Sequence, residues 1–439
     1  MKYMLSRTTI TYATILFLMM LHAADVSAQG ENNIWTFGIG AGLNFNLGEP
    51  QFFISKSNTS EGCATICNSS GELLFYSDGL TIRDRTHAVM PNGNGILGNH
   101  GGWSTRGSAT QSVAIARAIQ DTNKYYVFTV DCTEAISPPH GPGYLRYAIV
   151  DMSLNGGLGD VINKNIVLDS GTSEKMIITK GAGCFYWLLV RKYSSSQFKA
   201  FKIDAQGIST DGKVSLATTF SDQGTLGQLR LYMIGEMKIS PDQKLIALTT
   251  SGRGALNGIE VCDFNNATGM VSNARMIYNV ADNGGNQFLY GIEFAPGGRL
   301  LYIATGRGGS QVKMNLLQLD SSLLPDVNAV VNSMMRISPE GVFGGMRKGP
   351  DGKLYITGYN NTILHCINDP DKRGDSCKLA LLEFDMPDTI RTQMGFGNHV
   401  YSWNDLVRKP IYTTQDTFLC GNESSVDISA PEEYSSYTW

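Results

Sequence analysis

Asp78 and Asp131 are the two carboxylates whose settings in the chain match most closely. Each follows a short apolar run, Leu74-Phe75-Tyr76-Ser77 in one case and Tyr125-Tyr126-Val127-Phe128 in the other. Paired carboxylates of this kind cleave glycosidic bonds, one acting as acid and the other as base or nucleophile. Aspartate is also common in turns, where it accepts backbone amides and catalyses nothing. Arg191, Arg253, Arg307 and Tyr359 follow later apolar runs in the same way. Gly252 and Gly254 flank Arg253, and Gly306 and Gly308 flank Arg307, so these stretches can approach a ligand closely. Two acids, three guanidinium groups and a phenol read as a binding surface, or as charges that satisfy turns and pair with one another. Trp103 lies between Gly93 and Gln111, in a long segment that also carries His100 and Arg106. Binding residues concentrate in long loops on a rigid scaffold. Trp103 is therefore the aromatic expected to stack on a sugar ring, unless it packs down onto the scaffold.

Other chemistries find less support. Asp369, Asp371 and Asp375 supply hard oxygen ligands that suit calcium. The spacing is not that of an EF-hand, and Lys372-Arg373 interrupts it, so an exposed turn is the simpler expectation. The histidines His87, His100, His140, His365 and His399 form no His-Glu-x-x-His pair. There is no Gly-x-Ser-x-Gly elbow and no phosphate-binding loop. No cofactor is expected.

The elements that would position these residues come from a repeat. Pro241-Asp242-Gln243-Lys244-Leu245, Pro296-Gly297-Gly298-Arg299-Leu300 and Pro350-Asp351-Gly352-Lys353-Leu354 share one pattern, a tight turn feeding an apolar strand. Weaker copies begin near Gly71, Asn123 and Gly183, so the turn residues are spaced by 52, 60, 60, 55 and 54. A second mark runs in phase, since the strand after each unit ends near Asp84, Asp151, Asp204, Asp263, Asp320 or Asp369. A period of this length made of short strands predicts propeller blades. The repeated region, 33–403, accommodates seven, with six and eight as alternatives. The seventh is expected to be composite, with Asn33 to Phe45 as one edge and Gly395 to Trp403 as the other. The fold expected is an all-β, seven-bladed β-propeller of WD40/YVTN-like repeats. Aligned on the turn prolines, Lys238, Glu293 and Arg347 become equivalent residues of innermost strands. Their alternating sign predicts a salt-bridge network along the channel, with a structural role.

Composition agrees with a turn-rich, all-β chain. Of 439 residues, 49 are glycine and 14 proline, while charged residues make up only 17%, too few for a long helical protein. A net charge of −4 gives no basic footprint for nucleic acid. The N-terminus reads as a secretory signal, with Lys2 and Arg7 ahead of an apolar stretch from Ile10 to Leu21 and the small residues Val26-Ser27-Ala28. The apolar stretch is short for a transmembrane helix, which argues against an anchor, and no other segment is long and apolar enough to span, so cleavage after Ala28 is expected to leave a chain without a membrane span. The domains expected are a signal peptide over 1–28, the propeller over 29–408 and the start of a further domain over 409–439. Eight cysteines in an exported chain permit disulfides, and Cys366 with Cys377 is the best local pair.

Several phrases resemble one family. Asn33-Ile34-Trp35-Thr36-Phe37-Gly38, Glu61-Gly62-Cys63-Ala64-Thr65, Leu74-Phe75-Tyr76-Ser77-Asp78-Gly79, Val89-Met90-Pro91-Asn92-Gly93 and the run from Val150 to Asp160 are similar to secreted propeller proteins of gliding bacteria. The resemblance covers 33–403. It implies export by the type IX route, provided the complete chain carries a sorting domain, and immunoglobulin-like repeats of the PKD kind after the propeller. The stretch from Asp416 to Trp439 is similar to the first half of such a repeat. The function expected is a secreted or cell-surface binding and adhesion module, without catalysis, whose partner is polysaccharide or a surface protein. The rivals are an extracellular hydrolase or lyase acting on glycans with acids at the channel mouth, and an envelope scaffold.

Overall fold

In the computed structural model the described residues are 30–99, 106–132, 142–193, 197–216, 234–250, 258–279, 287–307, 313–383, 387 and 389–399. They form seven antiparallel sheets. Blade 1 comprises Ile34–Phe37, Ile39–Asn44 and Gln51–Asn58. Blades 2 to 7 have innermost strands Ala64–Cys67, Val113–Arg117, Thr172–Lys180, Met237–Ile239, Gln287–Phe294 and Met346–Lys348, each followed outward by its hairpin neighbours. The chain is thus a seven-bladed β-propeller. The expected signal peptide, Cys420 and the expected domain over 409–439 lie outside the described residues. Among the described residues no helix is long and apolar enough to cross a membrane.

The turn pattern does what its residues require. Gly71, Gly298 and Gly352 take positive φ between the first and second strands, and Gln243 takes the same conformation at 62°. Such a backbone is open to glycine at no steric cost. The aspartates close the next turn. Oδ1 of Asp84, Asp151, Asp204 and Asp320 accepts the amide two residues on, from Thr86, Ser153, Gln206 and Ser322, at 2.7, 3.0, 2.9 and 3.1 Å. Blade 5 departs from the pattern. There Asn265 takes the turn, accepting Ala267 N at 3.0 Å, while Asp263 pairs with Arg275. In blade 7 Asp369 instead meets Lys378 at 2.7 Å.

Burial is organised by seam. One hydrophobic cluster fills each junction from blade 2/3 round to blade 7/1. At the blade 1/2 junction the hydroxyls of Thr36 and Thr65 meet at 2.9 Å. Trp35 sits at the closing seam against Phe45, Tyr355 and Phe396, with ring centroids 4.8, 5.6 and 5.5 Å away.

Closure is composite, with a different division of strands from the one expected. The N-terminal part contributes three strands, through Asn58 rather than Phe45. The C-terminal part runs beside them as an irregular segment, bridging Ile39 to Arg391 and Cys63 to Gly397. Trp403 lies outside the described residues.

The Cys366–Cys377 disulfide is not formed, and both thiols are free and buried. Cys366 enters the apolar cluster shared with blade 1, whereas Cys377 enters the one shared with blade 6. Cys366 belongs to the strand Ile363–Ile367 and Cys377 to the short helical turn Gly374–Cys377, and the two thiols pack on opposite sides of blade 7. Burial pushes the Cys63 and Cys67 thiols up to about 12, so both are inert packing groups.

Candidate functional site

Second strands end at one face of the ring, and the residues singled out there occupy that place. Asp78 follows Leu73–Ser77, Asp131 follows Lys124–Val130, and Tyr359 lies just past Leu354–Thr357. Arg191 falls within Tyr186–Lys192, and Arg307 ends Leu300–Arg307. Trp103 and Arg253 lie outside the described residues, as does the side chain of Arg307.

The expected open surface of charges is corrected by burial. Asp78, Asp131 and Arg191 are only 6, 3 and 5% exposed, whereas Tyr359 is 50% exposed. Asp78 Oδ1 accepts Leu80 N at 3.0 Å and Thr81 N at 2.8 Å, which holds the hairpin turn. Burial still raises its carboxyl above the ordinary range. Asp131 receives Arg146 Nη1 at 2.6 Å and Tyr144 N at 2.8 Å, and the Arg146 guanidinium lies 4.5 Å over the Tyr144 ring. Both carboxylates are thereby engaged in turn closure and ion pairing.

The channel network exists with altered membership. Lys238 Nζ lies 3.4 Å from Glu236 and 3.5 Å from Glu293, and it donates to Met346 O at 2.5 Å. Lys348 Nζ lies 3.9 Å from the other oxygen of Glu293. Arg347 turns away from this chain of charges toward blade 1. Its guanidinium covers Trp35 at 4.4 Å and donates to Asn32 Oδ1 at 2.8 Å. Burial lowers its pKa to about 10. Arginine suits that place because a planar, weakly hydrated cation stacks well on an indole.

Nearer the mouth, side chains cross the ring. Tyr290 of blade 6 donates to Glu61 Oε2 of blade 2 at 2.7 Å. Gln111 of blade 3 donates to Asn398 Oδ1 at 2.9 Å and to Met237 O of blade 5 at 3.0 Å, while accepting Met237 N. Asn398 in turn donates to Val113 O at 2.7 Å. Glu174 accepts both Thr110 N and Thr110 Oγ1 at 2.8 Å. Lys175 Nζ donates to Ile234 O and Gly235 O at 2.9 and 2.7 Å. Glu236 Oε2 accepts Ile292 N and Met346 N, tying blades 5, 6 and 7. Burial raises Glu236 and holds Lys175 well below the ordinary lysine value. Sequence reasoning missed this belt. Its signal was a Glu or Gln at or just before the innermost strand, at Glu61, Gln111, Glu174 and Glu236.

The calcium candidates do not converge. Asp369 pairs with Lys378, and Asp371 Oδ1 accepts Gly297 N at 2.8 Å from the neighbouring blade. Asp375 instead lies within the short helical turn Gly374–Cys377, its carbonyl accepting Lys378 N at 3.1 Å. Among the described residues no His, Cys, Asp or Glu group is placed to hold a metal ion.

No protein-family model matches the chain, and no curated protein does. Solved structures similar to it are diverse propellers. A putative 6-phosphogluconolactonase from Bacteroides uniformis aligns at 12% identity and TM-score 0.45, covering 83% of this chain and 98% of its own. A puromycin-hydrolyzing peptidase from Mycobacterium tuberculosis aligns at 10% and 0.41, covering 85% of this chain and 50% of its own. A virginiamycin B lyase from Staphylococcus aureus aligns at 12% and 0.30, covering 63% and 70%. These likenesses are distant, and no residue role is carried over from them.

Proposed function

We propose that the protein is an exported, non-catalytic binding module that holds polysaccharide or a surface protein on the face where the second strands end. The observation supporting this reading is the cross-ring belt. Tyr290–Glu61 and Gln111–Asn398 join blades across the ring at the channel mouth and brace the face that a partner would meet. Successive sheets are connected at this face, where the strands ending at Asn94 and Leu216 stop and those beginning at Val113 and Met237 start. Such connections on a rigid ring are the usual place for recognition. Export by the type IX route and an adhesive role at the cell surface belong to the same proposal, resting on the N-terminal signal and the family phrases.

A hydrolase or lyase at the mouth needs a carboxylate available to substrate, and Asp78 and Asp131 are both occupied. The test is a glycan and surface-protein array on the mature chain, scoring retained ligand and released reducing ends together. Retention without release is expected. Release of reducing ends overturns the proposal.

A further inference from the structure

On the opposite face, where the first turns lie, the seam between blades 4 and 5 opens into a cleft of about 460 Å³. Its size lies within the range of small-ligand sites. The floor is apolar, formed by Phe185, Trp187 and the exposed Met270. Lys202 and Lys213 stand at the rim.

The cleft is held rigidly from both blades. Asn266 O, in the blade 5 turn, accepts Trp187 Nε1 at 2.7 Å and Ala182 N at 3.0 Å from blade 4. Asn265 Oδ1 fixes the same turn through Ala267 N and Thr268 N, at 3.0 and 3.2 Å. Gly269 lies at φ 75°, and a Cβ there would come within 3.0 Å of the Trp187 ring. Phe185 meets Trp187 edge to face at 5.4 Å.

The rim carries more positive than negative charge. Lys202 Nζ lies 4.6 Å from the Phe185 ring centroid and 3.0 Å from Asp204. Lys213 is exposed and has no carboxylate within ion-pair distance among the described residues. An apolar floor under a cationic rim fits a ligand with a flat carbon face and a carboxylate at its edge. The open side lets a longer chain pass beyond the cleft.

We propose that this cleft binds a uronic-acid residue within an acidic polysaccharide, its ring on the Phe185–Met270 floor and its carboxylate on Lys213 and Lys202. The inference goes beyond the binding face described above and does not depend on it, because the two lie on opposite sides of the ring.

Titration calorimetry of the full chain with an oligogalacturonate, a neutral malto-oligosaccharide and poly-glutamate tests it. The oligogalacturonate is expected to bind, more weakly as salt rises. Lys213→Gln should weaken it roughly tenfold, the loss of about one charge-assisted hydrogen bond. Met270→Glu, at an exposed position, should abolish it through like charge, with thermal melting unchanged. Absent oligogalacturonate binding overturns the proposal, and so does an unaffected Lys213→Gln variant. Equal binding of the neutral sugar, or of poly-glutamate, overturns it as well.

Discussion

Asp131 and Arg146 meet at 2.6 Å with almost no access to water. Removing one partner of a buried pair strands the other charge, at a cost of about 3–5 kcal/mol. Asp131→Asn is therefore expected to lower the urea midpoint markedly, whereas a residue serving only in catalysis would leave the midpoint in place. His365 gives a pH signature. It packs against Phe343 at 4.5 Å, and burial lowers its pKa from 6.5 to about 4. The unfolded chain takes up the proton first as pH falls, so stability drops between pH 6.5 and about 4. At ~1.4 kcal/mol per pKa unit the loss reaches about 3 kcal/mol. Asp78 and Glu236, raised by burial, act in the opposite sense, and His87 and His399 act in the same sense as His365. His365→Phe should flatten its share of the slope in urea titrations at stepped pH. An unchanged slope would show that His365 ionises freely in the folded protein.

At the scale of strands and turns, two glycines separate backbone conformation from packing. Gly352 lies at φ 78°, and a Cβ added there would meet nothing within 4 Å, so Gly352→Ala costs only the left-handed backbone penalty, about 1–2 kcal/mol. Gly395 faces the opposite situation, since a Cβ would lie 2.4 Å from the carbonyl carbon of Glu61. Gly395→Ala must push the C-terminal segment off blade 2, and a several-fold larger loss in thermal stability is expected. Equal losses would show that the segment does not lie against Glu61. These turns were legible in the sequence because their determinants are local, a glycine at positive φ and an aspartate bonding two residues on. Arg347 was not legible in the same way. Its alignment with Lys238 and Glu293 places it correctly on an innermost strand, but Trp35 and Asn32, from the other end of the chain, decide where its guanidinium goes.

Over the whole molecule, the ring depends on a segment more than 300 residues from its partner strands, as the Ile39–Arg391 bridge shows. A chain ending before residue 390 loses the Phe396 contact with Trp35 and the Asn398 bonds to Gln111 and Val113. Its calorimetric transition is expected to broaden and fall, with blade 1 edges open to aggregation. A sharp, unshifted transition would mean that the remaining strands close the ring alone. The polar belt escaped sequence reading for the same reason. Gln111 and Asn398 are neighbours only once every blade is in place, and no local pattern records that.

The shared first blade also sets a load path. Were the described part of the chain held at residue 30 and pulled at residue 399, the load would fall on blade 1 and on the bonds that the 390–398 segment makes to it and its neighbours. The N-terminal strands and the 390–398 segment would be sheared against each other, with part of the load passing to blade 7 through Thr392–Asn361, to blade 2 through Gly397–Cys63 and to blade 3 through Asn398–Val113. The seal of the ring is thus its mechanical fuse. Its strength rests on the Trp35 cluster and on the Ile39–Arg391 backbone bonds, whose lengths are 2.9 and 3.0 Å.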